Sequence, residues 1–187
     1  MKPRRLLILC EGGTEKLYFD SLVQHKRIYT LPIEVFGKKG QHKALIDKCV
    51  VERKKKADDL NLSENEIEAW AVCDCDRMKI KYLELLRYSE EKKVKLAFSN
   101  PQFETYLLQH FEAKGPKKRK EELILELEKH LNEKYNKNNL SWFDEMIDKD
   151  PKRVEVAISN SNKLGNHTRP PFLTIQKLTE RLLEFAK

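Results

Sequence analysis

Two aspartates follow an apolar run in the middle of the chain, in the stretch VCDCDRM over residues 72–78. The preceding run, IEAWAVC, is typical of a buried strand, and residues two apart on a strand point to the same side. Asp74 and Asp76 can therefore converge on one point. Carboxylate oxygens are ligands that Mg²⁺ prefers, and a divalent cation relieves the repulsion between them. The pattern predicts a metal site, although aspartates also cap helices and stabilise turns.

A third acidic residue follows another apolar segment, near the N-terminus. Residues 5–10 have the pattern of a buried strand, and Glu11, Gly12 and Gly13 come directly after it. In an open parallel sheet, ligands bind beyond the carboxyl ends of the strands, so we expect Glu11 beside the two aspartates. The glycines let a ligand approach the backbone. The stretch is not a phosphate-binding loop of the GxxxxGK[ST] type, so any dependence on ATP requires a separate protein.

The elements that must position these residues follow from the apolar periodicity. Strands are predicted over residues 5–10, 28–37, 67–73 and 94–99, and helices over 15–26, 41–60 and 80–92. Further helices are predicted over 103–111, 119–135, 142–147, 152–164 and 174–186. Alternating strands and helices are typical of a parallel sheet with crossover helices. We predict an α/β domain over residues 1–112, with a parallel sheet of about four strands, and a mostly helical extension over 113–187 packed on it.

Composition narrows the class of protein and its partners. The chain has 187 residues and a net charge of +7, which favours an acidic partner such as nucleic acid or reflects solubility alone. No apolar run approaches the roughly 20 residues that a membrane span needs, and the short N-terminal run is too brief for a secretory signal. The four cysteines lack paired CxxC spacing. We therefore expect a cytoplasmic protein with free thiols and no membrane association.

Three acidic or amide side chains are further candidates for the same site. Glu15 lies one helical turn past Glu11, where it either supports the metal or favours the helix dipole. Asn100 and Glu104 follow the fourth predicted strand, so they either border the site, with Glu104 as a metal ligand, or begin the next helix. Lys163 is a candidate that reaches the site from the helical tail.

Basic residues near the predicted crevice are candidates for binding nucleic acid. Positively charged side chains hold phosphates without reading sequence. The candidates are Lys39, Arg77, Lys117, Lys118 and Arg119. A solvated surface accounts equally well for the basic loop that contains the last three. His42 and His167 stand in no pattern that indicates a role, and His110 has the apolar neighbours of a structural histidine.

The motifs also resemble known proteins. The stretch CEGGTEKLYF over residues 10–19, followed later by the DxD of residues 74–76, resembles the Toprim domain, a fold shared by topoisomerases, bacterial-type primases and several small nucleases. The stretches ILCEGGTEKLYFDSL over 8–22 and SNPQFETYLLQHF over 99–111 resemble the RloB-like family, which consists of small bacterial and archaeal Toprim proteins often associated with antiphage defence. Residues 152–164 and 170–185 also fit that family's helical tail, so the resemblance covers nearly the whole chain.

This resemblance implies roles for individual residues. Glu11 is implied as a metal ligand or general acid/base, and Asp74 and Asp76 as ligands of Mg²⁺, with Mn²⁺ as an alternative ion. The implied activity is a Mg²⁺-dependent nuclease that hydrolyses phosphodiester bonds in DNA or RNA during antiphage defence. The alternative is a non-catalytic nucleic-acid-binding or effector subunit that a separate ATPase regulates. Other enzyme classes rank last, because no GxSxG elbow, zinc-helix motif or dinucleotide fingerprint is present.

Overall fold

A five-stranded sheet forms the centre of the protein. The computed structural model describes residues 5–36, 42–75, 80–113 and 120–185. The strands are β1 (Arg5–Cys10), β2 (Glu34–Val35), β3 (Ile67–Asp74), β4 (Val94–Asn100) and β5 (Phe172–Leu173). Their order is β2-β1-β3-β4-β5, and all neighbours are parallel except β5, which runs antiparallel to β4. The predicted mixed α/β class with a mostly parallel sheet is confirmed.

Helices cover both faces of this sheet. In the described residues they are α1 (Gly13–His25), α2 (Lys43–Leu60), α3 (Tyr82–Glu91), α4 (Glu104–Leu108), α5 (Lys120–Leu131), α6 (Ser141–Lys149), α7 (Arg153–Ser161) and α8 (Ile175–Phe185). A 3-10 turn, Glu64–Glu66, precedes β3. Among the described helices, none combines the length and apolar content that a membrane span requires.

Burial on both faces explains why the central strands are continuous apolar runs. Along β1, Leu6 and Ile8 belong to one apolar cluster, whereas Leu7 and Leu9 belong to another. The first cluster includes residues of α1 and α4–α8, and the second includes residues of α2 and α3. Because the first cluster also joins the strands to the predicted helical extension, the extension packs against the sheet. The boundary at residue 112 stays a prediction.

The two outer strands differ from the sequence prediction. A strand was predicted over residues 28–37, but within the described residues 28–36 the regular strand is limited to Glu34–Val35. The Leu31 N–H also donates to the Leu6 carbonyl at 3.0 Å, and Pro32, which has no N–H to donate, interrupts the pairing between these two points. Strand β5 was not predicted, because two residues carry no periodicity. It is extended by Thr174, whose hydroxyl accepts from the N–H of Phe98 at 2.9 Å and whose N–H donates to the Phe98 carbonyl at 2.8 Å.

A buried ion pair joins the last helix to the sheet. Arg181 on α8 donates to both carboxylate oxygens of Glu68 on β3, with Nη2 3.0 Å from Oε2 and Nε 3.1 Å from Oε1. Trp70 and Lys95 also donate to Glu68 Oε1, at 2.9 and 3.0 Å. Burial alone would raise the pKa of this carboxyl, but the donors outweigh it and the pKa is lowered. The Glu68 side chain is only 9% exposed, so its charge depends on these partners.

Replacing the arginine is expected to destabilise the fold. Arg181→Ala leaves Glu68 buried with fewer donors, so we expect the free energy of unfolding to fall by about 1–3 kcal/mol. Urea denaturation followed by circular dichroism measures this change. Lys177→Ala is the control, because Lys177 is an exposed cation on the same helix; its effect should stay within about 0.5 kcal/mol. Equal effects of the two variants would contradict the role of the ion pair.

Candidate functional site

An acidic cleft of about 390 Å³ lies at the carboxyl ends of the central parallel strands. It is lined by Glu11, Gly12, Gly13, Thr14, Glu15, Asp74, Gln102, Phe103, Glu104, Lys137 and Asn138. Four of the predicted site residues, Glu11, Glu15, Asp74 and Glu104, are thus brought to one place from the end of β1, from α1, from β3 and from α4. The rest of the lining comes from the turn between β1 and α1 with the start of α1, from the turn after β4 and from the connection between α5 and α6.

Pairing between the strands fixes the backbone positions of Glu11, directly after β1, and of Asp74, the last residue of β3. Cys10 pairs with Val72, and the N–H of Glu11 extends this ladder by donating to the Val72 carbonyl at 2.9 Å. Asp74 pairs with Ser99 on β4, and the next N–H after Asp74 donates to the Ser99 carbonyl at 2.9 Å. The backbone of both acidic residues is therefore held by the sheet. Their side chains reach the same edge because the strands are parallel.

Glu15 is the most buried carboxyl of the cleft, with 6% of the residue exposed. Burial is the main cause that raises its pKa to about 8, and the negative charges of Asp74, Glu104 and Glu11 raise it further, while a hydrogen bond to its own backbone N–H acts in the opposite direction. Burial, with a smaller contribution from the neighbouring carboxylates, therefore favours the protonated form of Glu15 at neutral pH. The sequence left two roles open for Glu15: supporting the metal or interacting favourably with the helix dipole. In the structure Glu15 lies in the first turn of α1 and also lines the cleft.

Gly12 makes room for this carboxyl. The residue is extended, with φ −125°, so any residue type could adopt its backbone conformation. A Cβ at position 12 would lie 2.6 Å from Glu15 Oε2, whereas a Cβ at Gly13 would meet nothing within 4 Å. A side chain at position 12 would therefore displace the Glu15 carboxylate from its place in the cleft, whereas a side chain at position 13 would displace nothing.

Residues 135–138, here called the strap, close one side of the cleft. The Tyr135 hydroxyl donates to Glu104 Oε1 at 3.2 Å, and the Thr14 hydroxyl donates to the Lys137 carbonyl at 3.0 Å. Burial and the neighbouring Glu104 raise the pKa of Tyr135 far above its usual range. A helix was predicted over residues 119–135, but α5 ends at Leu131, so the strap lies in the connection between α5 and α6. A contact between residues this far apart along the chain leaves no periodic signal. Lys137 is exposed and lines the cleft, where its backbone carbonyl accepts the bond from Thr14.

Two side chains support the end of β3 from behind the cleft. The ring Nε2 of His42 lies 2.9 Å from the Asp74 carbonyl oxygen, and the imidazole is buried. The Cys75 thiol donates to Asn100 Oδ1 at 3.3 Å. The alternative in which Asn100 caps the next helix is wrong, because α4 follows Phe103 and has no side-chain cap. Sequence reasoning had assigned no role to His42.

Several predicted site residues are not placed in the cleft. Lys163 is exposed just after α7 and does not belong to the lining among the residues that the structure describes. Asp76, Lys39, Arg77, Lys117, Lys118 and Arg119 lie outside the described residues. The predicted pairing of Asp74 with Asp76 on one metal, and the predicted basic contacts with nucleic acid, therefore stay predictions.

The chemistry of the lining fits a hard divalent cation. Its ionisable acids are all carboxylates, which bind Mg²⁺ or Mn²⁺ through oxygen, and their crowding disfavours further negative charge without a cation. Within residues 5–36, 42–75, 80–113 and 120–185, however, no group of three His, Cys, Asp or Glu side chains is close enough to hold a metal ion. The described carboxylates thus supply the donor type, and a complete ligand set requires Asp76, movement of side chains, or a phosphate ligand.

The sheet and its acidic cleft define an α/β protein with a candidate site at the carboxyl ends of parallel strands. The family model described as RloB-like protein matches residues 6–182. The chain therefore belongs to the RloB-like family, as the motifs predicted. Comparisons with curated proteins and with solved structures gave no match. Assignment to the Toprim fold stays a prediction.

Removing the charge of Glu15 should stabilise the metal-free protein. The folded-state pKa of about 8 lies above the ordinary value of 4.5, so the folded state binds more protons between these values. Stability must then fall as pH rises through this window. Glutamine cannot ionise, so Glu15→Gln should not lose stability as the pH rises. At a pH near the folded-state pKa, its free energy of unfolding should exceed that of the parent protein by roughly 1–3 kcal/mol. Thermal and urea unfolding in EDTA across the window measure the difference.

The matched control for this prediction is Glu155→Gln. Glu155 is an exposed glutamate in the first turn of α7, where the helix dipole favours its negative charge. Its replacement should be neutral or slightly destabilising at every pH. If Glu15→Gln were also neutral or slightly destabilising at every pH, the main interaction of Glu15 would be with the helix dipole. The claim that its buried charge destabilises the metal-free protein would then be wrong.

Alanine at the two glycines should change stability in opposite directions. Gly12→Ala forces Glu15 from its position, and we expect a loss of about 1–3 kcal/mol. Gly13→Ala adds a methyl group in open space at the first helical residue, so stability should rise by about 0.4–1 kcal/mol. Urea denaturation measures both variants. The double variant Gly12→Ala/Glu15→Ala removes the clashing carboxyl and should recover part of the loss; a stable Gly12→Ala single variant would exclude the clash.

Proposed function

We propose that this protein is a Mg²⁺-dependent nuclease that hydrolyses phosphodiester bonds in DNA or RNA, with Mn²⁺ as an alternative ion. The observation that carries the proposal is the convergence of four carboxyl side chains and Lys137 in one cleft at the carboxyl ends of parallel strands. The resemblance to Toprim proteins, and the association of such RloB-like proteins with antiphage defence, support a role in defence.

Glu11, Asp74 and Glu104 would hold the ion together with Asp76. When bound, the ion would supply the positive charge that activates water and stabilises negative charge on the phosphate. Glu11 is the candidate general base, because it sits at the end of β1 beside Asp74. Lys137 would hold a non-bridging phosphate oxygen at the edge of the cleft.

Glu15 suits the transfer of a proton. Burial favours the neutral form of this carboxyl, so Glu15 is a candidate to donate a proton to the leaving oxygen, as catalytic carboxyls with raised pKa do. Tyr135 is a positioning residue in this scheme, since its hydroxyl donates to Glu104 and orients that carboxylate. His42 would likewise hold the backbone of Asp74.

A second candidate is a non-catalytic nucleic-acid-binding or effector subunit that a separate ATPase regulates. The observation that favours it is that no three-ligand group is assembled among the described residues. In this case the carboxylates would bind an ion weakly or only in the presence of a partner. Cleavage by the purified chain separates the two candidates.

The decisive experiment is cleavage of labelled DNA and of total RNA by the purified protein with Mg²⁺, Mn²⁺ or EDTA. We expect cleavage that requires the ion and that falls by about a hundredfold or more in Asp74→Asn and in Glu11→Gln. Asp59→Asn is the control, because Asp59 is an exposed aspartate near the end of α2. Full activity in both Asp74→Asn and Glu11→Gln would refute the catalytic assignment.

Calorimetric titration with Mn²⁺ completes this test. Binding that is lost in Asp74→Asn, without cleavage by the parent protein, would favour the non-catalytic subunit. Neither cleavage nor ion binding would exclude the proposed metal site in the isolated chain.

A further inference from the structure

A second surface lies beside the acidic cleft and has the opposite chemical character. Residues 156–179 contain no Asp or Glu, although they include Lys163, Arg169 and Lys177. Within this stretch, the connection from α7 to β5 carries His167 in an exposed position. We call His167, Tyr82, Lys163 and Arg169 the platform. None of these residues lines the cleft among those that the structure describes.

An aromatic stack forms the centre of the platform. The His167 ring stacks on Tyr82, with ring centroids 5.9 Å apart and planes at 28°. Tyr82 packs in turn against Phe98 and Phe172, each with centroids 5.0 Å away. Only the outer member of this series, His167, is exposed. His167 therefore presents an aromatic ring to solvent on an apolar base formed by the partly buried Tyr82 and Phe172 and the buried Phe98.

The loop that carries His167 has a defined shape. A Cβ at Gly165 would lie 2.0 Å from the Arg169 carbonyl oxygen, so the two ends of the loop are in close contact. The N–H of Arg169 donates to the Asn166 carbonyl at 2.8 Å, and Asn166 Oδ1 accepts from the Thr168 N–H at 3.0 Å. These bonds hold His167 and Arg169 on one compact turn. Binding there would order few additional residues, which lowers its entropic cost.

Strand register places this turn near the cleft. Asp74 pairs with Ser99, and Ser99 pairs in turn with Leu173. The chain that leads into β5 therefore reaches the same edge of the sheet as Asp74, two strand spacings or about 10 Å away. Phe172, which contacts both Tyr82 and His167, pairs with the last residue of β4.

We propose that the platform binds an unpaired base of a single-stranded nucleic acid whose backbone enters the cleft. Single-strand binders stack bases on exposed aromatic rings and hold the backbone with nearby cations, and a base inside a duplex cannot offer its face in this way. His167 would supply the ring, and Lys163 and Arg169 the charge. The inference rests on the proposed function for the class of substrate, and it narrows that class to single strands.

Fluorescence anisotropy in EDTA tests the platform without cleavage. The probe is a labelled oligonucleotide of about 16 nucleotides, as DNA and as RNA, compared with a duplex of the same sequence. We expect the parent protein to prefer the single strand, and His167→Ala to weaken single-strand binding at least fivefold. His167→Phe should retain binding because it preserves stacking. Arg169→Ala should reduce the slope of log affinity against log salt by about one.

Two controls keep the result specific. Tyr29→Ala removes an aromatic side chain that is 85% exposed in the segment between α1 and β2, and it should leave the affinity unchanged. Thermal unfolding of His167→Ala should match that of the parent, since the residue is exposed. An unchanged affinity in His167→Ala, or a preference of the parent for duplex, would overturn the platform and leave a surface histidine that only covers Tyr82.

The platform and the proposed nuclease can fail separately. Single-strand binding that depends on His167, together with no cleavage in Mg²⁺, would support the platform and count against the nuclease. Cleavage that depends on Asp74, together with single-strand binding that is unchanged in His167→Ala, would support the nuclease and count against the platform. The affinities for the DNA and RNA probes then show which polymer the platform binds more tightly.

Discussion

The in-register parallel pairing of β1, β3 and β4 is the constraint on which the rest of the structure depends. This pairing makes β1 and β3 end side by side, so Glu11 and Asp74 lie at the same edge of the sheet. Their backbones cannot move apart without breaking hydrogen bonds between the strands. Apolar clusters on both faces of the sheet hold those strands in place. Acidic side chains are thereby kept close although they repel, and the pKa of Glu15 is raised first by its burial and further by that repulsion. A fold that maintains such a conflict is typical of a functional site, because stability alone would favour separating the charges.

The helical part of the chain and the sheet depend on each other. Arg181 binds α8 to the buried carboxylate of Glu68, so the last helix is held by the sheet. In return, the connection between α5 and α6 delivers Tyr135 and Lys137 to the cleft that the sheet creates. The cleft is therefore assembled from distant parts of the chain. Its acidic residues come from strand ends and helix starts, and Lys137 comes from the strap.

Sequence reasoning succeeded where the signal is local. Strands β1, β3 and β4 were predicted to within one residue at each end, because strands buried on both faces are continuous apolar runs. The positions of Glu11 and Asp74 followed from those strand ends. Strands of two residues, such as β5, leave no periodic signal. The strap could not be predicted, because the contact between Thr14 and Lys137 joins residues 123 positions apart and depends on how helices pack on the sheet. The role of His42 was missed for the same reason, since it contacts a backbone carbonyl and no side-chain motif encodes that.

If the protein is the proposed nuclease, its recognition of a substrate is divided between two surfaces. In that proposal the carboxylates and a bound cation would act on the phosphate, which every nucleic acid shares, so the cleft by itself could not select one polymer or one strandedness. The net charge of +7 attracts any polyanion in the same way. Selection must then come from a surface that contacts bases, and an exposed ring near the cleft is the simplest such surface. His167 meets that requirement because it lies in a stretch free of acidic residues, on a turn fixed by its own hydrogen bonds, at the edge of the sheet where Asp74 ends its strand.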